Sequence, residues 1–161
     1  MTAVRRESFM MLRAFRVGAA AWVFTGVLHD VLELALARDP GVEAALREAS
    51  SIEIGALSLK PASLTSGVSL AMGVAMILVG VLLWMLGDLL RDAPEKLARF
   101  AIVALVGSAA VLVLAVLHLL GPPILTFTVA TIAFAVTVGQ VWRSAHEGQT
   151  PSARAHGPSV E

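Results

Sequence analysis

Residues 17–36 read VGAAAWVFTGVLHDVLELAL, and this stretch decides the fold. It has the length of about 20 apolar residues that a helix needs to cross a bilayer, yet it carries His29, Asp30 and Glu33. Ionisable side chains inside a span are costly to bury and usually face a partner, a cavity or water, so they mark the first candidate site. At helical spacing Trp22, Gly26, His29 and Glu33 share one face, with Asp30 beside it.

Composition supports a membrane reading for the rest of the chain. Its 161 residues are 57% hydrophobic, whereas ordinary soluble domains are about 45–50% apolar. Twelve basic and twelve acidic residues cancel to a formal net charge of zero, which gives no bulk attraction for nucleic acid. The absence of cysteine excludes disulfides, thiolate metal sites, iron–sulfur clusters and thiol redox catalysis.

Three further apolar runs follow, giving expected spans at about 17–36, 64–86, 97–120 and 124–142. Together they predict an all-α integral membrane bundle of four transmembrane helices over residues 17–142. Residues 1–16 form a basic arm with Arg5, Arg6, Arg13 and Arg16, and residues 143–161, rich in Gly, Pro, Ser and Gln, read as a disordered tail. The first span is expected to be retained. Ala35-Leu36-Ala37 could serve as a signal-peptide cleavage site, but the apolar run exceeds a signal-peptide core.

Between the first two spans, Pro40-Gly41 stops the helix. Residues 42–49 then fit a short amphipathic helix with a Glu43–Arg47 pair, lying on the membrane surface or capping the bundle. Residues 52–64 are expected to return the chain irregularly to the bilayer. Pro94 suits the first turn of the third span, and Gly121-Pro122-Pro123 breaks that span so sharply that the fourth must be its antiparallel neighbour. Small residues at Gly26, Ser69, Gly73, Gly80 and Ser108 are the candidate helix-packing positions, because small side chains let membrane helices approach closely.

Orientation follows from the basic residues. Arg5, Arg6, Arg13, Arg16, Arg91, Lys96, Arg99, Arg143 and Arg154 fall on one side, against Arg38, Arg47 and Lys60 on the other. The positive-inside rule then puts both termini in the cytoplasm of a cell whose inner (plasma) membrane holds the protein. Trp84 and Trp142 fall near the inner interface, while Trp22 lies deeper and is expected to pack against another helix.

In this topology His29, Asp30, Glu33 and His118 all lie toward the outer side, and three readings of them compete. His29 and Glu33 can satisfy each other while His118 caps its helix near Gly121. Alternatively, His29, Glu33 and His118 line a polar-bottomed pocket open to the outer leaflet, where they orient an apolar ligand or move a proton. In the third reading the two histidines are axial haem ligands, or join Glu33 around a divalent ion. No Walker loop, dinucleotide fingerprint or Gly-x-Ser-x-Gly elbow is present. His146 and His156 belong to the tail and read as solvated.

The GVLHDV of residues 26–31, the loop with its small helix, and the TSGVSLAMG of residues 65–73 resemble small four-helix bacterial integral membrane proteins of uncharacterised function. The resemblance covers about residues 16–142 and implies a four-helix bundle without an assigned activity. The expectation is therefore a membrane protein that binds a lipid-like ligand, or a partner membrane protein or second copy, on its outer-leaflet side, with no metal or cofactor and no nucleic acid partner. A membrane enzyme, haem or metal protein using His29, Glu33 and His118 is the alternative.

Overall fold

A computed structural model describes residues 3–36, 39–54, 57–118 and 121–147. The chain is all-α, with helices α1 (Ala3–Ala35), α2 (Pro40–Glu48), α3 (Pro61–Leu89), α4 (Pro94–His118) and α5 (Pro122–Glu147). Four of them, α1, α3, α4 and α5, are long and apolar enough to cross a membrane, making this a multi-pass membrane protein. Large apolar side chains such as Phe24, Leu82, Val103 and Ile132 stand exposed on their outer faces, as a lipid solvent requires.

Every helix after the first opens on a proline. Proline has no N–H to lose at a first turn and a φ already suited to a helix, so Pro40, Pro61, Pro94 and Pro122 start helices rather than merely ending the ones before. Asp39 adds a cap to α2, its Oδ1 accepting from the N–H of Gly41 at 2.8 Å and of Val42 at 3.2 Å. The Glu43–Arg47 ion pair forms on the same helix. Between α2 and α3 the expected irregular return is a small antiparallel hairpin, β1 (Ile52–Ile54) with β2 (Leu57–Leu59), in which Glu53 faces Ser58. Gly121 links α4 to α5 with φ +107°, a backbone conformation glycine adopts without a steric penalty.

At both ends of the chain the helices outrun the expected boundaries. The basic arm is continuous with α1 from Ala3, since nothing in residues 3–16 breaks a helix, and Met11 and Phe15 enter the core. Two of its charges are accommodated at the surface: Arg13 lies 4.1 Å from the Phe9 ring centroid, and Arg16 pairs with Asp88 of α3 and sits 5.5 Å from the Trp84 ring. α5 likewise runs past Trp142 to Glu147. The remainder of the expected tail, with His156, lies outside the described residues.

Helix α1 is the hub: it packs against α3 on one side and α5 on the other, and α4 packs against α5 as its antiparallel neighbour. The α1/α3 seam is built on glycine, the buried residues of α3 being Gly73, Gly80 and Gly87. Their spacing is that of a left-handed helix pair, and each brings α3 close against α1, at Gly26, at Ala19 and Val23, and at Phe15 respectively. The opposite seam is aromatic. Phe15, Leu97, Ala101, Ala130 and Phe134 form a buried core, with the Phe15 and Phe134 rings edge to face at 5.4 Å. This core occupies the end of the bundle where a tight turn joins α3 to α4, and we refer to the other end, which holds α2 and the hairpin, as the loop end.

Candidate functional site

In the loop-end half the packing opens. A cavity of about 420 Å³ lies among all four long helices, a volume within the range of sites for small ligands. Trp22, Thr25 and His29 of α1 and Met72 and Met76 of α3 form one side. Val111 and Ala115 of α4 and Pro123, Thr126 and Phe127 of α5 form the other. The wall is almost wholly apolar. Helices α3 and α4 both contribute to it but scarcely pack against each other, so no helix seam closes that side.

The floor is fixed by Trp22, which crosses from α1 to the far pair of helices. Its indole N–H donates to the fully buried Ser108 Oγ of α4 at 2.8 Å, and its ring stands edge to face with Phe127 of α5 at 5.1 Å. A small residue at Ser108 admits the indole, and its hydroxyl satisfies a donor that lipid-like surroundings would leave unpaired. Below this plane lies the aromatic core and above it the cavity.

The ionisable residues of α1 assemble at its contact with α3. His29 Nε2 lies 3.1 Å from both the carbonyl oxygen and the Oγ of Ser69, and that Oγ donates to Glu33 Oε2 at 3.0 Å. A carbonyl oxygen can only accept, so Nε2 carries the proton, and the hydrogen bonds run from His29 through Ser69 to Glu33. His29 and Glu33, one turn apart, are thus joined by a hydroxyl of the neighbouring helix. Asp30 sits beside them with its carboxylate over Gly73, filling the space a side chain would need there. Its Oδ1 is buried with no hydrogen-bond partner among the described residues.

His118 stands apart. It is the last residue of α4, exposed, and not part of the cavity wall. It shares the helical stripe of Val111 and Ala115 but lies a turn beyond the cavity rim, so the mismatch is one of depth rather than of face. Among the described residues no group of three or more His, Asp or Glu side chains comes together in a way that could hold a metal ion. Sequence reasoning missed Thr25, Thr126 and the two prolines of α5 as wall residues, since spacing along one helix does not tell which neighbour it meets. Ser69 was recognisable as a small packing residue. Its hydroxyl at the centre of the polar chain was not.

Replacing Ser69 with alanine removes the shared hydroxyl, leaves His29 only the carbonyl, and is expected to cost about 1 kcal/mol, near the middle of measured interhelical hydrogen bonds in membranes. Unfolding in mixed micelles checks this, and stability equal to the parent protein would show that the hydroxyl joins nothing of consequence. Comparison with known protein families, with curated proteins and with solved structures finds no match for this chain.

Proposed function

We propose that this is an inner-membrane protein with both termini in the cytoplasm that binds a lipid-like molecule in its four-helix cavity, on the outer-leaflet side. The observation carrying this reading is the cavity itself: a roomy apolar space among the four long helices, bordered by a few polar groups at defined positions. The unsealed side between α3 and α4 supports access from the lipid phase rather than from water. The excess of Lys and Arg on the side holding the α3–α4 turn supports the orientation, which puts the cavity in the outer half. Retention of the first helix is supported by its position as the partner of both α3 and α5.

A second reading, proton transfer along His29, Ser69 and Glu33, is favoured by the continuity of that chain, because histidine beside a carboxylate suits proton exchange near neutral pH. The two readings part on a cavity-filling variant. Ala75 of α3 lines the cavity from an exposed position, so Ala75→Phe should occupy the space without disturbing the buried core. Mass spectrometry of lipid extracted from the purified protein is expected to show a specific lipid with the parent chain and its loss, by about tenfold or more, with the variant. Equal lipid in both, at unchanged helix content, would remove the ligand-binding reading.

A further inference from the structure

The hydrogen-bonding character of the cavity wall narrows the class of ligand, on the premise that the cavity holds a lipid-like molecule. Among the described residues, four side chains of the wall carry N–H or O–H groups, and each has already given its proton to the protein. Trp22 donates to Ser108 Oγ at 2.8 Å. Thr25 donates to the Ala21 carbonyl at 2.6 Å. Thr126 donates to the carbonyls of Pro122 and Pro123 at 3.4 and 3.2 Å. His29 donates through Nε2 to Ser69. What these groups still offer is lone pairs: those on the two threonine oxygens and, in the neutral imidazole, the one on Nδ1.

Backbone groups reinforce this. A helix N-terminus normally presents unpaired N–H groups and favours an anion, but α5 meets the cavity with Pro122 and Pro123, neither of which has an N–H. Among the described residues no lysine or arginine lines the cavity, and the nearest ionisable neighbours of His29 along α1 are the carboxyl groups of Asp30 and Glu33. An anionic head such as phosphate, sulfate or carboxylate would find neither a donor nor a positive charge there. An ester or ketone, which can only accept, would also go unmatched.

We propose that the cavity selects an uncharged lipid alcohol: an apolar chain whose terminal hydroxyl donates to an acceptor of the wall, Thr126 Oγ1 being the one on the α5 side. A hydroxyl is the smallest head that both supplies the missing donor and adds no charge to be desolvated.

Three probes with one hydrocarbon chain test it: hexadecanol, hexadecyl methyl ether, which keeps the oxygen and lacks the donor, and hexadecyl sulfate. Native mass spectrometry of the full-length, delipidated protein with equal amounts of each is expected to show hexadecanol retained about tenfold over the ether and over the sulfate, the ratio one buried hydrogen bond supports. Thr126→Val, which keeps the side-chain shape, is expected to lower the alcohol's advantage several-fold while leaving ether retention unchanged. Equal retention of alcohol and ether overturns the donor requirement while leaving lipid binding intact, and preference for the sulfate overturns the charge argument. Retention of none of the three, with correct helix content, removes the lipid-binding premise itself.

Discussion

Gly26→Ala is expected to destabilise the bundle by about 3 kcal/mol, at the upper end of what an added methyl costs in a packed interior. The alanine Cβ would lie 2.5 Å from the Gly73 carbonyl oxygen and 2.9 Å from the Ile77 nitrogen, both backbone atoms of α3. Backbone in the middle of a helix cannot rotate aside, so α1 and α3 must separate, and the contacts along their seam weaken together. Gly80→Ala acts the same way, meeting the Val23 nitrogen at 2.7 Å and the Ala19 carbonyl at 2.8 Å. Gly67 is the control on the same helix: a Cβ there meets nothing within 4 Å, and Gly67→Ala should stay within about 0.5 kcal/mol of the parent. Reversible unfolding in mixed micelles or steric trapping in bicelles measures all three, and similar values for Gly26→Ala and Gly67→Ala would deny the close seam.

Phe134→Ala is expected to cost about 4 kcal/mol, in the range for emptying a large buried aromatic site. Phe134 is fully buried, stacks edge to face on Phe15, and fills a notch over Gly18, whose hypothetical Cβ would approach its ring to 2.6 Å. Without the ring, α1 and α5 lose the contact that Gly18 was small enough to allow, and neither backbone can close the gap fully. Phe134→Leu, which keeps most of the volume, should recover more than half of the loss. A measured cost near 1 kcal/mol for the alanine variant would mean that the aromatic core is not where the stability of the bundle resides.

The four spans were legible because length and apolar content suffice to recognise a membrane helix, and the tight α4–α5 neighbourhood followed from a connection too short for anything else. The glycines of α3 at 73 and 80 were legible from their spacing. Gly87 was not, because it lies beside Asp88 in what reads as the end of the span. The length of the first helix was not legible: Arg13 and Arg16 read as part of a separate arm, while the structure runs α1 through them and pairs Arg16 with Asp88. The polar cluster was half legible. His29 and Glu33 share a face by arithmetic, but their meeting at Ser69 depends on the register of α3 against α1, a property of two helices that neither shows alone. His118 matched the others in side but not in depth, and the cavity, being a space between helices, left no trace in any single run of residues.

The pairing scheme also bears on how the chain is made. Since α3 finds its glycine seam on α1, that seam has both of its helices once the ribosome has delivered residues up to Leu89, while the face of α1 that meets α5 is still open. Helix α4 has no such prior host, because its main neighbour is α5, still unsynthesised when α4 enters the lipid. The contacts therefore predict assembly in two instalments, a first pair followed by a hairpin that docks on it, with the hollow enclosed only by the second.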